Sequence, residues 1–154
     1  MNAATPAAAT ATRGEAWEAY FTTTARLQAR MEAALKASCS LSLPDYNVLM
    51  RLDRAGADGL RPGVLAGDVV FSPSRLTHTL RRLHDRGLVE RRACDTDGRG
   101  GLAALTPAGR ELYQRAAGVH RTLVRALALE GMTPEEAEVI DRVFTRIAAR
   151  LASA

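Results

Sequence analysis

The sequence is poor in aromatic residues, in cysteine and in histidine, and each shortage removes a class of protein. Only 5% of residues are Phe, Trp or Tyr against 47% hydrophobic overall, so the apolar content, led by alanine and leucine, suits packed helices better than a sandwich or barrel of strands. The two cysteines, Cys39 and Cys94, lie far apart. They are too few for a disulfide framework and are expected to be reduced thiols in a cytoplasmic protein. His78, His84 and His120 lack metal-ligand spacing, and no Cys-x-x-Cys or His-Glu-x-x-His occurs, so neither a metal nor a cofactor is expected. No run approaches the ~20 apolar residues of a bilayer-spanning helix. Residues 1–13 have neither the basic start nor the long apolar centre of a secretory signal, and read as a disordered tail. Gly98 to Gly101 has no Gly-Lys-Thr ending that would make it a phosphate loop, and no nucleophile, base and orienting group can be assembled, so no enzyme is expected.

Lysine is also nearly absent. Of 21 basic residues only Lys36 is a lysine, and the excess of arginine gives a net charge of +4. Part of that count is a compositional habit shared with the high alanine content, but its placement is not. Seven arginines fall between Arg75 and Arg99 against four acids, Asp85, Glu90, Asp95 and Asp97, which marks this stretch as the side offered to an anionic partner.

The rest of the chain alternates capping signals with apolar stripes. Trp17, Tyr20, Phe21, Leu27, Met31, Ala34 and Leu35 recur at helical spacing from Glu15 to Ala37. Pro44 begins a second helix to Ala55 carrying Tyr46, Val48, Leu49 and Leu52 inward. Leu60-Arg61 reads as a short strand and Pro62 starts a third helix to about Val69. Thr106-Pro107 and Thr133-Pro134 open two further long helices, the first to about Leu129 and the second with Val139, Ile140, Val143, Phe144, Ile147 and Leu151 in its stripe.

Residues 72–106 organise the whole. Ser72-Pro73 places an N-cap acceptor before a residue of preset φ. Leu76, Leu80 and Leu83 then form one stripe, and Ser74, Arg75, His78, Arg81 and Arg82 occupy the remaining surface. Gly87 ends that helix, Leu88-Val89 begins a strand towards Arg91 and Arg92, and Asp95 to Gly101 is a charged loop before the returning strand Leu102 to Leu105. With the third helix before it, this is a winged helix-turn-helix. A helix fits the major groove of duplex DNA, and an arginine on a thin loop fits the narrow, more negative minor groove.

The ordered combination Leu83…Arg86-Gly87-Leu88-Val89…Arg91 or Arg92, Asp97-x-Arg99 and Leu105-Thr106-x-x-Gly109 resembles the MarR family of winged-helix transcriptional regulators, from about Glu15 to Leu151. The resemblance implies a mainly α fold, one domain over 14–154. Its DNA-binding lobe spans about 44–106 and its dimerisation helices about 14–38, 107–130 and 133–152. It implies a homodimer on a pseudo-palindromic operator in double-stranded DNA, acting as a repressor, with helix 72–86 in the major groove and Arg99, positioned by Asp97, in the minor groove. On this reading Ser72, Ser74, Arg75, Thr77, His78, Arg82, Arg92, Asp97 and Arg99 face DNA, and Arg75, in the first helical turn, is the first choice for a base contact. The family's small-molecule pocket implies an aromatic effector near Trp17, Phe21 and Tyr46, residues that ordinary core packing explains equally well. Cys39 invites a redox role, against the simpler reading of an inert thiol. A winged helix that binds a protein and no DNA is the competing reading, and it predicts association insensitive to salt.

Overall fold

Thr12 opens the first helix with a reciprocal cap: its hydroxyl accepts the Glu15 N–H at 3.2 Å, and the Glu15 carboxylate accepts the Thr12 N–H at 2.7 Å. The computed structural model describes residues 11–92 and 101–153, and in it α1 runs Arg13–Cys39. The expected tail of 1–13 is therefore too long at its end, because Thr12 and Arg13 belong to this helix start. Residues 1–10 lie outside the described residues.

The remaining elements follow their caps. α2 spans Leu43–Ala55 behind a second reciprocal cap, Ser42 with Asp45. α3 spans Pro62–Asp68 and α4 Pro73–Asp85, the latter capped by the Ser72 hydroxyl, which accepts the Arg75 N–H at 3.3 Å. Gly87, at φ +69°, takes the left-handed turn that lets the Leu88 N–H reach back to the Leu83 carbonyl at 2.9 Å. Strands β1 (Val89–Arg92) and β2 (Leu102–Leu105) pair antiparallel, Val89 opposite Leu105 and Arg92 opposite Leu102. The short strand expected at Leu60-Arg61 is a single bridge, Leu60 with Ala103, closed by hydrogen bonds of 2.9 and 2.8 Å. α5 (Pro107–Val124) continues through a wide π-type turn, Arg125–Leu129, and α6 spans Pro134–Ala152.

One close approach ties the β-hairpin to α5. A Cβ on Gly109 would lie 1.9 Å from the Leu88 carbonyl oxygen, so only glycine lets the first turn of α5 sit against the chain leaving α4. Thr106 secures the same junction: its N–H donates to the Leu88 carbonyl at 3.1 Å and its hydroxyl to the Gly87 carbonyl at 2.7 Å.

The core gathers where α2, α4, α5, the hairpin and the end of α1 meet. Leu35, Leu41, Val48, Leu49, Leu52, Leu65 and Leu83 are fully buried and Leu76 nearly so, each such side chain contributing about 1.5–3 kcal/mol over its exposed state. The two ends of the chain differ. α1 buries only Leu35 and Cys39, and α6 buries none of its residues. Trp17, Phe21 and Leu151 are 57%, 66% and 74% exposed, so the apolar stripes of these helices are left uncovered by the chain itself. No helix among the described residues is long and apolar enough to cross a membrane.

Candidate nucleic-acid interface

α3 packs on α4 through a tight turn. Leu65 and Ala66 of α3 are buried, and the Phe71 N–H donates to the Ala66 carbonyl at 3.0 Å. Within this turn Val70 sits at φ +55° with 89% of its surface exposed, an uncommon conformation for a β-branched residue. α4 buries Leu76, Thr79, Leu80 and Leu83. The spacing leaves Ser74, Arg75, Thr77, His78, Arg81 and Arg82 on the opposite, exposed side.

The side chains on that face are not equivalent. Ser74 and His78 make no side-chain hydrogen bond or ion pair among the described residues. The Thr77 hydroxyl donates to the Pro73 carbonyl at 2.9 Å. The Arg75 guanidinium stacks over the Phe71 ring, 4.3 Å from its centroid, a contact that holds it at the start of the helix and leaves its donors outward. Arg82 is different, because it reaches back to the buried carboxylate of Asp45 on α2. Asp45 also accepts from the Ser42 N–H at 3.0 Å and the Ser42 hydroxyl at 2.7 Å. One carboxylate thus caps α2 and holds α4. Next to it, Glu32 of α1 accepts the Leu43 N–H, the main cause of its carboxyl lying below the usual range.

On the hairpin, Arg92 is spent in the same way: Nε donates to Glu90 at 2.7 Å and a terminal nitrogen to the Ala57 carbonyl at 2.7 Å. Arg82 and Arg92, read from sequence as facing DNA, each hold a contact within the lobe while remaining about half exposed. Asp97 and Arg99 lie outside the described residues, as does Cys94; Cys39 is buried.

A sequence profile described as MarR family matches residues 40–100. The HTH-type transcriptional repressors Mb2911 of Mycobacterium bovis and Rv2887 of Mycobacterium tuberculosis are each 32% identical over 127 residues, 82% of this chain and 86% of theirs. The chain belongs to the MarR family. Two structures from Streptomyces coelicolor superpose closely. AbsC, a MarR family transcriptional regulator, has a TM-score of 0.86 at 30% identity, covering 96% of this chain and 100% of its own. Sco3205, solved in complex with DNA, has a TM-score of 0.85 at 28% identity, covering 92% and 94%. The fold is that of a MarR winged-helix transcriptional regulator, with α3 and α4 as the helix-turn-helix and β1–β2 as the base of the wing.

In this MarR chain the three residues expected to line one aromatic pocket do not converge. Tyr46 is buried, its ring 4.7 Å from His120 and 5.9 Å from Tyr113. Burial pushes the Tyr46 hydroxyl up and the His120 imidazole down from their ordinary values. Trp17 and Phe21 lie instead near the start of α1, where Trp17 packs on Tyr20 at 5.5 Å and Tyr20 on Phe144 of α6 at 5.1 Å. Helical spacing reports which side of α1 is apolar, not which neighbour it meets. Asp45 was missed as a residue of the interface. Its signal was the Ser42-x-x-Asp45 capping pattern, which announces the cap but not the arginine 37 positions later.

Proposed function

We propose that this MarR regulator is a repressor that binds a pseudo-palindromic operator as a homodimer. The observation that carries the reading is α4: four inward residues hold it while Ser74, Arg75, Thr77 and His78 stand outward behind a braced turn. Placed in the major groove, Arg75 offers its fork to a guanine edge, and the Ser74 and His78 side chains reach phosphates or bases beside it. The wing, entered by β1 and left by β2, carries Asp97 and Arg99 to the minor groove. Dimerisation is supported by the uncovered faces of α1 and α6, where Trp17, Tyr20, Val139, Ile140 and Phe144 line an open groove. A second copy on that surface sets two α4 helices about 34 Å apart, one turn of duplex. The effector we assign is a small aromatic molecule beside the exposed Phe21 ring, which does not line the groove given to the second copy.

Selection from randomised duplex, followed by fluorescence polarisation of the selected site at two salt concentrations, tests the reading. The expected result is a two-fold symmetric site, binding that weakens steeply with salt, and a particle of twice the chain mass by light scattering. Phenolic acids are expected to release the site. Association that ignores salt, or a chain-mass particle bound to the duplex, overturns it.

A further inference from the structure

Two pairs of adjacent arginines, Arg81-Arg82 and Arg91-Arg92, are divided in the same way. Arg82 is tied to Asp45 and Arg92 to Glu90 and the Ala57 carbonyl. Arg81 and Arg91 are exposed and make no ion pair or hydrogen bond among the described residues. A helix turns about 100° per residue and a strand reverses face at each one, so Arg81 points elsewhere than Arg82, and Arg91 shares the α4-facing side of β1 with Val89 while Arg92 shares the other side with Glu90. Arg81 and Arg91 line the same space. Between α4 and β1 lies a cleft of about 310 Å³ lined by Thr77, Leu80, Arg81, His84, Val89 and Arg91. Among the described residues its lining is apolar at Leu80 and Val89 and carries two guanidinium groups and an imidazole, with no carboxylate. The described acid paired with His84 is Asp85, 3.8 Å from its Nδ1.

The position of this cleft identifies its occupant. A helix in the major groove and a wing in the adjacent minor groove straddle one sugar-phosphate strand, which must pass between them. We propose that Arg81 and Arg91 clamp a backbone phosphate of that strand in the cleft, with His84 on its rim. The clamp rests on the DNA-binding reading and deepens it. It is a contact that sets register without reading sequence, and it adds to Arg75 two cations that hold no ion pair or hydrogen bond among the described residues.

The test uses the full chain and a labelled random-sequence duplex of about 24 base pairs, titrated by anisotropy between about 50 and 200 mM salt. Each phosphate contact contributes about 0.9 to the slope of log affinity on log salt, so losing one makes the fall over this fourfold range about 3.5-fold shallower. R81A and R91A are each expected to lose that much, R81K and R91K to keep the wild-type slope, and R92A to leave it unchanged. Circular dichroism melts verify that the variants fold. Wild-type slopes in both R81A and R91A, or an equal loss in R92A, overturn the clamp while leaving DNA binding intact. A wild-type protein with no salt-dependent binding to any duplex overturns the DNA reading and the clamp together.

Discussion

Replacing Gly109 with alanine adds one methyl group at the joint between hairpin and α5, and the structure fixes what that methyl meets. The new Cβ would stand 1.9 Å from the Leu88 oxygen, 2.9 Å from its carbonyl carbon and 3.2 Å from its Cα. All three are backbone atoms, so no rotamer change relieves the overlap. Reaching an ordinary carbon–oxygen separation of about 3.3 Å requires the strand and helix to part by more than an ångström. That movement strains or breaks the 3.1 Å bond from the Thr106 N–H to the same oxygen. Overpacking of this kind costs about 1–3 kcal/mol and a lost backbone hydrogen bond about 1 more, giving a loss of about 2–4 kcal/mol. With a urea slope of about 2 kcal/mol per molar, the unfolding midpoint at a given protein concentration falls by about 1–2 M. Gly118→Ala is the internal control: it lies in the same helix with nothing within 4 Å of its added Cβ, and gains about 0.5–1 kcal/mol from helix propensity. A G109A midpoint within about 0.3 M of wild type would show that the close approach does not constrain the fold.

Three further perturbations address other parts of the chain. Asp45→Asn removes the charge that grips Arg82, and with Arg82 half exposed it should cost about 1–2 kcal/mol. In a urea double-mutant cycle with R82A the coupling should be about 1 kcal/mol, and simple additivity would deny the contact an energetic role. Val70→Gly relieves a left-handed β-branched residue that buries almost nothing; thermal unfolding should show a gain of up to about 1 kcal/mol, and a loss would mean the turn is unstrained. His120 titrates below its ordinary 6.5 because of burial, so the native state binds fewer protons than the unfolded one as pH falls through 6.5. Its stabilisation is full above that pH and is lost on acidification towards the lowered value. H120Q should remove this slope from midpoints measured at about pH 5 to 7.5 and keep the separate decline below 4.5 that carboxylates such as Glu32 produce; an unchanged slope would assign the effect elsewhere.

What could be read from sequence was what is decided locally. Thr106 and Thr133 cap their helices, Ser72 caps α4 and Gly87 turns left-handed where the residues alone placed them, because each of these choices depends on neighbours three or four positions away. The stripe Leu76, Leu80, Leu83 is buried for the same reason. The contact of Arg82 with Asp45 and that of Arg92 with the Ala57 carbonyl were not legible, since those partners lie 37 and 35 positions distant. Nor was the separation of Tyr46 from Trp17 and Phe21, which share an apolar period but sit at different places in the fold. Gly109 was legible as part of a motif, yet the reason for it, the Leu88 carbonyl, is a contact between elements.

The double attachment of Asp45 has a consequence for how α4 arrives at its partner. The later turns of α4 cannot fray alone, because releasing Arg82 also disturbs the carboxylate that seals the start of α2, so amide protons of both segments should exchange as one cooperative unit. A reading element that is already ordered spends little entropy on docking. Calorimetry of α4 meeting its target would then show the modest heat-capacity change of rigid surfaces closing, not the large one of a segment that folds as it binds.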